Sequence, residues 1–168
     1  MDKQPMEEHK QPWLWAHRKV GTYPEPVRNG KWMLFIPDSE INAAWDTIRT
    51  AVEEGKLGDT AKVATAKPNP NALDRHRKLI CVYTYDAEDK EDVVRILQAL
   101  RDLGFQQGLT YKTDEATLAG EYSFNTAGPV SLYYAYKETV ELSTPKGRSQ
   151  KQVGKSRPQP RNIMNRDD

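Results

Sequence analysis

Apolar residues recur along this chain in two distinct periods. Ile41, Ala44, Trp45, Ile48, Ala51 and Val52 follow helical spacing, while Asn42, Asp46, Arg49, Glu53 and Lys56 fall elsewhere. One apolar stripe on an otherwise polar cylinder predicts a helix that buries a single face. Asp38 or Ser39 can cap its start, because a short side-chain oxygen accepts the free amides of the first turn. Gly55 or Gly58 can stop it through a left-handed residue. Val93, Ile96, Leu97, Leu100 and Leu103 predict a second helix, with a turn and cap over Asp86–Lys90 and an end at Gly104.

Between the helical stretches the pattern shortens. Lys31-Trp-Met-Leu-Phe-Ile36, followed by Pro37, predicts a largely buried strand. Ala61–Thr65 alternates and predicts another. Pro68 and Pro70 make Lys67–Asp74 a loop, since each removes an amide donor and fixes φ. Lys78–Tyr85 is the best strand, β-branched and aromatic with a near-continuous apolar run. Leu109–Lys112 predicts a strand and Glu121–Phe124 a further one. Gly128-Pro129 breaks the chain before a last strand at Ser131–Lys137, in which Tyr134 and Tyr136 share a face. Two helices cannot cover both faces of such a sheet. The fold class expected is α+β: a mostly antiparallel sheet with two main helices on one face. The other face, or one edge, is then open to solvent or a ligand.

Composition narrows the setting. Of the 168 residues 37% are hydrophobic and 29% charged, but four Trp and eight Tyr argue for a real core. No stretch approaches the roughly 18 apolar residues of a membrane span. The polar N-terminus shows no signal peptide, and the single Cys81 excludes an internal disulfide or a Cys-rich zinc site. A cytoplasmic setting without membrane contact is expected. The net charge of +1 hides an asymmetry: seven basic residues from Lys146 to Arg166 face only Asp167 and Asp168, so the tail is +5 and the rest −4. A slightly acidic body is not a DNA-binding domain by charge. The expected organisation is a loose segment over 1–11, one domain over 12–143 and a disordered basic tail over 144–168. That tail is either a solubilising end or a weak electrostatic contact for nucleic acid or an acidic surface.

The standard catalytic and cofactor motifs are absent. There is no Walker loop, no dinucleotide-binding glycine motif and no HExxH. No cofactor is implied. His9, His17 and His76 stand apart, which gives no metal-ligand spacing. Cys81, inside the strongest strand run, reads as a buried core residue. Trp13 and Trp15 point the same way in an extended segment, where they can stack on a base or clamp a ligand. They can equally pin the segment to the core. Trp32 and Trp45 read as core. Arg75, His76, Arg77 and Lys78 form a basic cluster at the start of the central strand, and Lys112 stands in Tyr111-Lys-Thr-Asp114 near the end of a later one. Such cations would hold a phosphate and favour a neutral lysine as general base. The alternative is a solvated loop and a lysine paired with Asp114.

Two family resemblances lie on these residues. Trp13-Leu-Trp15, Gly30–Phe35, Trp45 with Gly55-Lys-Leu-Gly58, Ala61–Thr65, Ile80–Thr84 and Tyr111–Gly120 together resemble the uncharacterised basophilic-leukaemia-expressed protein family. The resemblance implies the fold of the cap-binding translation initiation factor, a curved antiparallel sheet backed by helices. It does not transfer cap binding, which needs two sandwiching rings and an acidic residue at the guanine edge. A second resemblance runs from Lys78 to Asp114 and is similar in layout to the bacterial effector phosphothreonine lyases. It implies Lys112 as the base of a β-elimination, Lys78 as a phosphate contact and Tyr133 or Tyr134 as the active-site tyrosine. Two departures stand against it. Ile80 occupies the position of that family's histidine acid, leaving His76 as the only nearby substitute. No arginine lies between Asp114 and Val130, so Arg18, Arg28, Arg75 or Arg77 would have to serve from elsewhere.

These residues support three readings. One is a module binding a phosphorylated small molecule, peptide or nucleotide through Lys78, Arg75, Arg77, Lys112, Tyr133, Tyr134, Trp13 and Trp15. The second is a phosphothreonine lyase-like enzyme with Lys112 as base and His76 as acid. The third is a protein-interaction domain with no small ligand. Both site readings require Lys78 and Lys112 to converge on one face of the sheet.

Overall fold

The computed structural model describes residues 3–72, 74–114 and 131–144. Six strands form one open sheet: β1 (Trp13–His17), β2 (Gly30–Pro37), β3 (Thr60–Ala64), β4 (Arg77–Thr84), β5 (Leu109–Thr113) and β6 (Tyr133–Ala135). Their spatial order is β1-β3-β4-β2-β5-β6, and every pairing is antiparallel. Two 13-residue helices, α1 (Ile41–Glu53) and α2 (Lys90–Asp102), complete an α+β architecture. The fold class is the one the hydrophobic pattern predicts.

The core lies between the sheet and the helices. Ile41, Ala44, Trp45, Ile48, Ala51 and Val52 from α1 and Val93, Ile96, Leu97 and Leu100 from α2 are buried. They meet Ala16, Trp32, Leu34, Ala61, Val63, Ile80, Val82, Leu109 and Tyr111 from the strands. These strand residues share one face of the sheet, because side chains alternate along a strand and register partners point the same way. The indole of Trp32 donates to the Val93 carbonyl at 3.0 Å, tying sheet to helix. Both helices therefore cover one face only.

Local signals explain the boundaries. The Asp89 side chain accepts from the Asp92 amide at 3.2 Å and caps α2. At α1 the expected cap is corrected: Glu40 is the N-cap, its side chain makes no capping bond, and neither Asp38 nor Ser39 fills the role. Asp38 instead accepts from Lys78. Gly55 and Gly104 follow the two helices at φ +78° and +103°, a conformation that costs glycine little.

The N-terminal segment differs from its expected looseness where it is described. Pro5–Glu7 form a single 3-10 turn with Pro5 buried, and Met6 packs on the core. The Met6 amide donates to Asn42 on α1 at 3.1 Å. Leu14 and Ala16 pack inward, so the Trp13–His17 segment is a full edge strand. The strand expected at 121–124 and the tail from 145 lie outside the described residues.

Candidate functional site

The face away from the helices carries the unusual chemistry. Register links Trp15, Lys62, Cys81, Met33, Thr110 and Tyr134 in one row across the sheet. Along the neighbouring row, Tyr83 pairs with Lys31, and Lys31 with Lys112. Lys31 and Lys112 are buried, whereas half of Trp15 is exposed, at 50%.

The geometry centres on Lys62. Its Nζ lies 3.9 Å from the Trp13 ring centroid and 5.3 Å from that of Trp15. An ammonium over an indole face is held by the ring quadrupole, worth roughly 0.5–2 kcal/mol depending on its hydration. Among the described residues Lys62 has no carboxylate partner. Burial pulls its pKa below the ordinary lysine value, and the Lys31 charge adds to this, while Cys81 and Asp114 oppose it. Beyond Trp15 the rings continue. Tyr83 stacks at 6.3 Å and 15°, and His17 at 6.5 Å and 7°. Lys31 Nζ stands 5.7 Å from the Tyr83 centroid and forms an ion pair with Asp114 at 2.8 Å.

Trp15 and Tyr83 also wall a cavity of about 240 Å³ at the end of the sheet. Tyr23, Tyr85, Pro24 and Pro26 make the rest of its apolar lining, and Asn29, Asp59 and Asp114 supply polar groups. Among the described residues no lysine or arginine lines it. Asn29 Nδ2 donates to Asp114 at 2.8 Å, so this carboxylate is oriented from two sides. The Tyr23 hydroxyl donates to Asp92 at 2.5 Å and accepts from the Tyr85 amide at 3.1 Å. Burial raises the Tyr23 and Tyr83 phenols above their usual pKa, so both stay neutral at physiological pH. Burial also pushes the Cys81 thiol up to about 11, which leaves it a core residue, not a nucleophile. Among the described residues no group of His, Cys, Asp and Glu is assembled to hold a metal ion.

The sequence-derived site does not assemble as expected. Lys78 pairs in register with Ile36, a core residue, and so lies on the helix side of the sheet, where it bonds Asp38 at 3.0 Å. Lys112 pairs with Lys31 and lies on the opposite face. The two are five register steps apart along β2, about 17 Å at strand rise. They cannot contact one phosphate. Arg75, His76 and Arg77 are exposed at the far end of β4. Arg77 bonds Asp74 at 2.6 Å and lies 5.4 Å from the Phe35 ring centroid. His76 is therefore not beside Lys112 as an acid. Tyr133 is also corrected: it is buried on the helix side, and its hydroxyl donates to the Ala87 carbonyl at 2.9 Å. Tyr134 lies on the face away from α1 and α2, edge-on to Tyr136 at 4.8 Å. Trp13 and Trp15 belong to that face too, and are not core. No lyase constellation forms among these residues.

Lys62 and Tyr83 are the residues that sequence reasoning missed. Both stand at polar-phase positions of strands, and alternation alone assigns Lys62 to the face opposite Ala61 and Val63. The pairing of β1 with β3 is what brings it under the two tryptophans, and pairing cannot be read from one strand's pattern.

Comparison with known proteins adds two findings. The family model for basophilic leukemia-expressed protein Bles03 matches residues 23–117. That stretch includes Lys31, Lys62, Tyr83, Lys112 and Asp114 and begins after Trp15. Among solved structures, the chain is similar to a crystal structure of schistosome eIF4E complexed with m7GpppA and 4E-BP. Identity is 11% and the TM-score 0.47, over 64% of this chain and 59% of that chain. Among the described residues no helix is long and apolar enough to cross a membrane.

Proposed function

The chain belongs to the Bles03 family, and from that premise we propose that it is a ligand-binding module for a phosphorylated, nucleotide-like molecule held on the sheet face away from α1 and α2. One observation carries the reading. Lys62 stands over two tryptophan rings without a carboxylate partner among the described residues, and one of those rings, Trp15, also walls a cavity together with Tyr83. Aromatic faces accept a planar base by stacking, worth about 1–3 kcal/mol per base. An ammonium held on the same face supplies a counter-charge for phosphate. The division of labour follows from charge. Asp59 and Asp114 line the cavity, so the ring enters there and the phosphate stays outside, near Lys62. Asn29 and Asp114 meet the donors and acceptors at the ring edge. A cytoplasmic setting is part of this proposal.

Calorimetry and thermal unfolding with a panel of probes test it. Adenosine and guanosine triphosphates should bind and stabilise the native state. Inorganic triphosphate and the uncharged nucleosides, each carrying half of the recognition, should bind more weakly. Lys62→Ala should weaken nucleotide binding about tenfold or more, since a charge-assisted hydrogen bond is worth roughly 1.5–3 kcal/mol. Equal binding of nucleotides by wild type and Lys62→Ala, or no stabilisation by any probe, overturns the reading.

A further inference from the structure

The two edges of the sheet are finished differently. At one end β6 is covered: Tyr134 and Ser143 exchange backbone bonds at 2.7 and 2.8 Å. At the other end, among the described residues, β1 pairs with β3 alone. The Arg18 amide donates to Asp59, and the Thr65 amide to Pro12. These bonds fix the phase of the ladder. Positions 12, 14, 16 and 18 face β3, and by alternation the N–H and C=O groups of Trp13, Trp15 and His17 point outward. Among the described residues no group bonds to them.

Native edge strands are usually blunted by lysine, proline, a bulge or a covering loop. Within Trp13–His17 there is no lysine, acid, proline or glycine, and all five residues are regularly paired to β3. Half of Trp15 is exposed at the middle of the strand. The outward groups are also symmetric about Trp15. We propose that this edge pairs with β1 of a second copy of the chain, antiparallel about a twofold axis at Trp15.

The pairing is self-complementary. Trp15 faces the partner copy's Trp15, and Trp13 faces the partner copy's His17. On the other side of the sheet Leu14 faces Ala16. Every outward N–H and C=O of the three residues meets a partner, and no two like charges face each other at neutral pH. The result is one continuous twelve-stranded sheet, with the faces away from α1 and α2 of both copies on one side. A foreign extended peptide lacks this symmetry, which is the reason for choosing a second copy.

Sedimentation of the full chain over a range of concentrations tests the state. The mass should rise from one chain to two, and Trp15→Lys, which sets two ammonium groups against each other, should remain a single chain. Cysteine pairing tests the register independently of stability. Facing residues across a hydrogen-bonded pair have Cα atoms about 5.5 Å apart, within disulfide range. Trp15→Cys should therefore form a disulfide-linked dimer under mild oxidation. His17→Cys, about 13 Å from its own image at strand rise, should not. The native Cys81 is buried and does not compete. A single chain at every concentration, or crosslinking of His17→Cys as ready as that of Trp15→Cys, overturns the proposal.

Discussion

The ammonium of Lys62 has burial and the Lys31 charge against it, and two indole faces for it. A lysine whose folded pKa is lowered loses its charge, as pH rises, before an ordinary lysine would. Binding of an anion that depends on this charge should fall at a pH below the usual lysine range. Lys62→Arg keeps its charge throughout and should extend nucleotide binding to higher pH, measured by calorimetry at stepped pH. Stability responds in the opposite sense. The unfolded chain binds the proton more tightly, so the contribution of this group rises with pH between the folded and unfolded pKa values. Arg101 is the structural counterpart. Its buried guanidinium donates to the carbonyls of Phe105, Gln107, Tyr136 and Thr139 at 2.6–2.9 Å and ties the segment after β6 to α2. Arg101→Met strands several of these acceptors, and buried unsatisfied groups cost roughly 1–3 kcal/mol each. A loss of about 3 kcal/mol or more is expected in urea denaturation.

At the scale of elements, the helices were the most legible. Their stripes match the residues buried in α1 and α2 one for one, apart from Leu103 at the C-cap of α2 and the buried Arg101. Burial of an entire face is a property of the local sequence, so one helix can be read alone. Trp45→Ala should cost about 3–5 kcal/mol for that reason, checked by the same denaturation. The N-terminal segment was less legible, because nothing in MDKQPMEEHK announces its seat on α1. Its stability depends on Glu8. This side chain accepts from the Lys10 and Gln11 amides at 2.7 Å and pairs with Lys3 at 3.0 Å. Its pKa falls to about 2, chiefly through the Gln11 amide bond and then the Lys3 and Lys10 contacts. A lowered carboxyl pKa stabilises the fold above the unfolded value and ceases to do so as pH drops through the folded one. Protection of the Lys10 and Gln11 amides should persist at pH 5, fall progressively toward pH 2, and be reduced at all pH values in Glu8→Ala. Hydrogen exchange read by NMR measures it.

At the scale of the molecule, the fold class followed from element order, but the site did not. Arg75, His76, Arg77 and Lys78 are contiguous in sequence, and contiguity along a strand sends alternate side chains to opposite faces. Lys78 therefore reaches the helix side while Lys112, on another strand, reaches the other. Lys62 was overlooked because its partners, Trp13 and Trp15, lie some fifty residues earlier and meet it only through the β1–β3 register. The four tryptophans divide in the same way: Trp32 and Trp45 fill the core, and Trp13 and Trp15 stand on the face away from α1 and α2. Their indole N–H groups give four reporters of where a ligand sits. The most direct measurement is an amide and indole NMR titration of the full chain with adenosine triphosphate. Shifts are expected at the Trp13 and Trp15 indoles and at the amides around Lys62 and Tyr83, with the Trp32 indole, bonded to Val93, unmoved. Shifts confined to Arg75–Lys78, or none at the Trp13 and Trp15 indoles, would contradict the proposed binding.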